Sequence, residues 1–190
     1  VRLVKCQRQI FKEANRELTK EEYMRLLSAS QKNHDERLYL LIKTICATGI
    51  RISELPYVTV EAAAQGHAMI YCKNKQRCIL LPQKICRELT DYAKAHDITA
   101  GYIFRTKSGR PVDRSNAWHA MKRLGREAGV PEDKIFPHNL RHLFARTFYD
   151  TEKDIVRLAD ILGHSSIDTT RIYTAASGAE CMRQIDELGL

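Results

Sequence analysis

The chain has 190 residues, 44% apolar and 28% charged, an ordinary balance for a soluble globular protein with one well-filled core or two small ones. No apolar run approaches a membrane span, and the N-terminus shows no charged-then-apolar leader, so a cytoplasmic protein without membrane contact is expected. Thirty-one Lys and Arg against 23 Asp and Glu give +8, which points to a polyanionic partner, nucleic acid first, with a merely basic soluble protein as the alternative.

The opening Val1 suggests a processed chain or an excised fragment, and the basic, weakly patterned residues 1–17 read as a lead-in or linker. Thr19-Lys20-Glu21-Glu22 fits a capping box that starts a first helix, with Tyr23, Leu26 and Leu27 at helical spacing. A second helix is expected from about Asp35 to Ala47, stopped by Gly49. Arg51 then falls in a turn between the apolar Ile50 and Ile52, which suit either a residue held against the core with its head aimed at a partner or a solvated surface arginine. From Ala68 to Leu81 the pattern becomes a β-hairpin whose turn carries Lys73 and Lys75; lysines at such a tip also serve simply as solubility devices.

Pro82 starts a helix that runs to about His96, and Ser108-Gly109-Arg110-Pro111 is a turn. A helix from about Arg114 to Ala128 is expected to bury Trp118, Met121 and Leu124. Its other face carries Lys122, Arg123 and Arg126, either a phosphate-contacting stripe or a solvated charged face. Further helices are expected near Asn139–Tyr149 and Asp154–Leu162. A last short one, capped by Ser165 or Ser166, ends near Tyr173. The six cysteines, Cys6, Cys46, Cys72, Cys78, Cys86 and Cys181, form no CxxC pair and read as reduced thiols. The fold class is α+β, mainly α-helical, with one small antiparallel sheet.

The chemistry concentrates between Phe136 and Thr174. His138 and Arg141 stand three apart at a helix start, where the backbone adds its own positive end. Arginine presents a planar fork that matches two phosphate oxygens, and His164 follows a glycine in a similar anion-friendly setting. Tyr173, exposed by its pattern, is a poor nucleophile at its free pKa of about 10 and needs help to lose its proton. Two other readings remain: a zinc site on His138 and His142, which lacks a completing ligand set, and a buried tyrosine that satisfies a helix end.

Together Ala47-Thr48-Gly49-Ile50-Arg51-Ile52-Ser53-Glu54-Leu55, the lysine hairpin, His138-Asn139-Leu140-Arg141-His142 and Leu162-Gly163-His164 through Tyr173-Thr174 resemble the catalytic domain of tyrosine site-specific recombinases, the integrases of phages and conjugative transposons. The resemblance covers about residues 19–175. It implies that Arg51 and Arg141 clamp the scissile phosphate and that Tyr173 attacks it to form a 3′-phosphotyrosine. It also implies that a hairpin lysine, Lys73 or Lys75 with Lys73 favoured, protonates the leaving 5′-oxygen. His138 corresponds to the acid/base histidine and His164 to a second histidine that donates to the phosphate. Neither metal nor nucleotide cofactor is implied. Asn139 replaces a frequent Asp, and Leu143 a frequent Thr.

The implied organisation is a linker over 1–17, a catalytic domain over 18–176 and a tail over 177–190 that either contacts a neighbouring protomer or serves as a local cap. The partner is double-stranded DNA, contacted by Lys75, Arg110, Arg114, Lys122, Arg123 and Arg126. On it a homo-oligomer, a tetramer in the full synaptic complex, would assemble from chains that alone are monomeric and bind weakly. Alternatives in other classes are type IB topoisomerase-like relaxation and a non-catalytic helical DNA-binding protein.

Overall fold

The computed structural model describes residues 17–72, 75–164, 166–174, 182–183 and 185–189, with backbone alone at 72, 75, 172 and 174. Nearly all of the expected linker, Lys73, the Lys75 side chain, Ser165, Cys6, Cys181 and half of the tail lie outside the described residues.

The helix boundaries follow capping chemistry. Helix α1 (Lys20–Lys32) begins with the capping box: Glu22 N–H donates to Thr19 Oγ1 at 3.1 Å and Thr19 N–H to Glu22 Oε2 at 2.8 Å. Helix α2 (Glu36–Thr48) is capped by Asp35 and ends at Gly49, whose φ of +65° suits a residue without a Cβ. A Cβ at Gly49 would also lie 2.4 Å from Phe144 Cδ1, so the site tolerates glycine on two counts. A 3-10 segment (Ile52–Tyr57) and helix α3 (Val60–Gln65) lead into the hairpin.

Strands β1 (His67–Cys72) and β2 (Lys75–Leu80) pair antiparallel, with Ile70 opposite Arg77 and Cys72 opposite Lys75. Lys75 is therefore the first residue of β2. Lys75, expected in the turn, is instead paired in the strand, because alternation continues through Lys75 and Gln76.

Helix α4 (Gln83–Ala95) follows Pro82, and helix α5 (Arg114–Glu127) is capped by Asp113. Met121 and Leu124 are buried as expected, but Trp118 is 38% exposed; it lies at the edge of the buried stripe and packs beside His119 and the Lys122 ammonium. Helix α6 (Pro137–Glu152) starts two residues before Asn139, with Pro137 in the first turn where its missing N–H costs nothing. Asn139 Nδ2 donates to Lys134 O at 2.9 Å, a bond that a carboxylate at this position could not make. Helices α7 (Ile155–Leu162) and α8 (Ile167–Thr174) complete the fold, with Gly163 at φ +65° ending α7.

The larger core joins α1–α5, the hairpin and the start of α6, and includes Leu26, Ile42, Ile45, Leu89, Phe104, Met121 and Leu140. A smaller core gathers Ala145, Leu158, Leu162 and Tyr173 against Phe144 and Phe148. Helix α6 belongs to both, and the candidate site lies along their seam. No helix among the described residues is long and apolar enough to cross a membrane.

Candidate active site

Arg141 is 1% exposed, an unusual place for a guanidinium. Its neighbours explain how the charge is tolerated. Nη1 donates to Gly49 O at the end of α2, and Nη2 donates to Leu162 O at the end of α7 at 2.8 Å. Both carbonyls are helix-terminal groups without an intrahelical partner, and both lie at the negative end of a helix dipole. Burial first, then repulsion from Arg51, pulls the Arg141 pKa down to about 10, so the group remains a cation at neutral pH.

Arg51 lies across the seam with its side chain 43% exposed. Glu54 holds it twice, accepting from its backbone N–H at 2.8 Å and from Nη1 at 3.0 Å. The second carboxylate oxygen also accepts from Arg77 Nη2 at 2.7 Å, and Arg77 Nη1 reaches Ile161 O at 2.9 Å. Burial lowers the Arg77 pKa, and attraction to Glu54 opposes that shift. Three guanidinium groups thus converge where one carboxylate is shared between two of them.

Tyr173 projects from α8 into this cluster and is 7% exposed, in contrast to the exposure its pattern suggested. The small core formed by α6, α7 and α8 closes around its ring. Tyr173 interacts with the Arg141 guanidinium and favours the cation, opposing the downward pull of burial. Three imidazoles surround the phenol: His142 edge-on at 4.5 Å between centroids, His164 stacked at 5.7 Å and His138 at 6.3 Å. A buried tyrosine and an active-site tyrosine are therefore compatible readings, because the ring packs in the small core while three imidazoles and the Arg141 cation lie beside it.

His164 Nε2 stands 3.0 Å from Arg141 Nη2, and Nδ1 stands 2.8 Å from Thr170 Oγ1. Arginine can only donate, so Nε2 accepts and the ring proton sits on Nδ1, donated to Thr170. Burial first, then Arg141, Arg51, Arg77 and His138, pulls the His164 pKa down to about 4 and keeps the ring neutral at pH 7. Donation from His164 to a phosphate would require Nε2 to leave Arg141 and take the proton.

Residues 16–180 match the phage integrase family. The chain belongs to that family. It is similar to the tyrosine recombinase XerA of Pyrococcus furiosus, with 29% identity over 181 residues that cover 91% of this chain and 62% of the relative. A crystal structure of XerA recombinase superposes with a TM-score of 0.75 at 26% identity, covering 90% of this chain and 62% of that one. A structure of XerH recombinase bound to its difH substrate, a pre-cleavage complex, gives 0.70 at 26% identity over 84% of this chain and 50% of that one. The chain thus spans less than two thirds of the length of these relatives. As an integrase family member it has the expected mainly helical fold with one small antiparallel sheet.

Of the residues singled out in the sequence, Arg51, His138, Arg141, His164 and Tyr173 are brought together; Lys73 lies outside the described residues. His138 is exposed at the start of α6, while Arg141, one turn on, is buried. His138 and His142 contact each other edge-on at 4.4 Å and pack on Tyr173; no metal-binding group of three His, Cys, Asp or Glu occurs among the described residues.

The α5 basic stripe is partly occupied within the protein. Lys122 bonds Glu132 O, and Arg126 pairs with Glu132 Oε1 at 2.9 Å, whereas Arg110 and Arg123 are exposed. Arg114 lines a cleft of about 350 Å³ together with Ile52, Trp118 and His138, which places it beside the site. Sequence reasoning missed Glu54, Arg77 and Thr170 as site residues. The signal for Arg77 was available: strand alternation sets it on the same face as the buried Ile79.

Proposed function

We propose that this chain carries out site-specific DNA recombination by cutting and rejoining strands through Tyr173. The observation that carries the reading is the Tyr173 ring seated among His138, His142 and His164 beside the buried Arg141, with Arg51 near enough to repel that cation. The likeness to a recombinase solved on its DNA substrate supports a duplex as the partner.

In this reaction a backbone phosphate enters between Arg51 and Arg141, and its non-bridging oxygens take donors that now serve protein acceptors. The phenolic oxygen attacks phosphorus, and the bond to the 5′-oxygen breaks. The phenolic proton passes to an acceptor beside the ring, for which His138 is assigned, and the leaving oxygen receives a proton from the hairpin lysine, Lys73. Phosphodiester energy is conserved in the 3′-phosphotyrosine, and a different 5′-hydroxyl reverses the attack to complete exchange. The arginines stabilise charge on the phosphorane-like transition state, for which a positioned donor is typically worth about 10²–10³ in rate.

The wider assignment follows from the same family. Residues 18–176 act as the catalytic domain, 1–17 link to it, and 177–190 reach a neighbouring protomer in a DNA-bound tetramer in the cytoplasm. Met182, Ile185 and Leu188, all exposed, supply an apolar stripe for that contact. Lys75, Arg110, Arg114, Lys122, Arg123 and Arg126 are assigned to the duplex; Lys122 and Arg126 must exchange Glu132 for phosphate.

The test is covalent capture. A pool of nicked duplexes with randomised arms lets the broken strand diffuse away, trapping the enzyme on DNA. Wild-type protein should yield a trapped population enriched in one sequence and unaffected by a chelator. Trapping no greater than that of Tyr173→Phe would refute the proposal.

A further inference from the structure

We infer that Arg77 is a positioning residue that fixes the separation of the two phosphate-pocket arginines, Arg51 and Arg141. The inference rests on the strand-cleaving reading above. Arg51 comes from the turn after α2 and Arg141 from α6, so their spacing must be set by whatever connects those elements. A chain of short contacts does so. Glu54 holds Arg51 at 2.8 and 3.0 Å, Arg77 Nη2 holds Glu54 at 2.7 Å, and Arg77 Nη1 holds Ile161 O at 2.9 Å. The next carbonyl along, Leu162 O, takes Arg141 Nη2 at 2.8 Å.

The link between the Glu54 carboxylate and the end of α7 is thus one planar guanidinium, which cannot stretch or fold. Lysine, with one nitrogen in place of two, lacks the fork that spans the two acceptors. The surrounding chain makes room for the group: a Cβ at Gly163 would lie 2.5 Å from Arg77 Cδ and 2.6 Å from Nη1. Arg77 also keeps an Nε that is buried with no hydrogen-bond partner. Its placement therefore follows what its two Nη groups must reach rather than its own full satisfaction. There is an electrostatic consequence as well. With Arg77 present, Glu54 divides its charge between two cations; without it, the carboxylate turns wholly onto Arg51 and cancels charge meant for phosphate.

The experiment uses a nicked duplex recovered from the wild-type capture, prepared with either an ordinary phosphate or an uncharged methylphosphonate at the cleavage position. A neutral linkage makes less demand on a cationic pair. Arg77→Gln should slow adduct formation on phosphate by about 10- to 100-fold, as loss of an outer group that orients a metal ligand does in metal sites. On methylphosphonate the loss should be much smaller, the pattern also expected of Arg51→Ala. Arg77→Lys, which keeps the charge but loses the fork, should recover only part of the phosphate rate.

Wild-type cleavage of the phosphate duplex by Arg77→Gln, or an equal loss on both linkages in a variant with native circular dichroism, would overturn the inference while leaving the strand-cleaving reading intact. Should Arg77→Gln fail to fold, Arg77→Lys carries the same comparison: a selective loss on phosphate supports the role, and an equal loss or none overturns it. If wild-type protein traps no duplex at all, the cleavage reading itself fails and this inference falls with it.

Discussion

Arg141 Nη2 faces His164 Nε2 at 3.0 Å, and that contact, with Thr170 Oγ1 2.8 Å from Nδ1, holds the histidine neutral with its proton on the far nitrogen. The imidazole is then an acceptor that stabilises a buried cation, and Thr170, itself 0% exposed, receives the ring proton.

The pH dependence follows directly. His164 titrates near 6.5 in an unfolded chain but at about 4 in the fold. Between those values the unfolded chain binds a proton that the folded chain does not. Stability therefore rises with pH across the window and is lost as pH falls from about 6.5 toward 4. Urea midpoints measured from pH 7 down to about 4.5 should fall more steeply for wild type than for His164→Gln, whose amide can accept from Arg141 without titrating. Parallel profiles would refute the assignment.

Removing the proton acceptor should matter without touching the reacting atoms. Thr170→Val deletes one of the two groups that hold the His164 tautomer, and adduct formation should drop by about tenfold or more. The ring ¹⁵N shifts should also lose the clear distinction between a protonated Nδ1 and an unprotonated Nε2. An unchanged nitrogen spectrum would show that Thr170 does not set the tautomer.

Gly49 connects stability to the site. Gly49→Ala places a Cβ at a left-handed φ and against Phe144, which together should cost about 2–4 kcal/mol. Because Gly49 O accepts from Arg141, cleavage should fall even at temperatures where the variant is folded. Chemical denaturation and adduct yield, measured together, separate the two effects. A stability loss with wild-type cleavage would detach Gly49 O from the site.

The first helix provides a contrasting case. Thr19→Ala removes one half of the capping box and should cost about 1 kcal/mol while leaving cleavage at the wild-type rate. A thermal melt alongside adduct yield checks both.

Local chemistry carried much of the fold. Thr19, Asp35, Gly49, Asp154 and Gly163 mark helix ends because caps act within one turn, and the residues that write them are adjacent in sequence. The hairpin turn was misplaced because Lys75 and Gln76 look like turn residues, and only pairing with Cys72 and Tyr71 shows them to be strand.

What could not be read locally was partnership. Periodicity places Tyr173 on a helix face but does not say that α6 and α7 close over it. It offers Lys122 and Arg126 as free cations without showing that Glu132, beyond the helix end, meets them both. The motif residues named the reacting groups. Alternation turns Arg77 inward, but its contacts with Glu54 and Ile161 emerge only when three separate elements are brought together.

The account turns on which atom becomes bonded to DNA. Trapped adduct from the nicked-duplex capture can be digested with nuclease and trypsin, and the nucleotide-bearing peptide sequenced by mass spectrometry. The account predicts a phosphonucleotide remnant on Tyr173, in the peptide that begins at Ile172. A remnant on any other residue, or an adduct of equal yield from Tyr173→Phe, would contradict it.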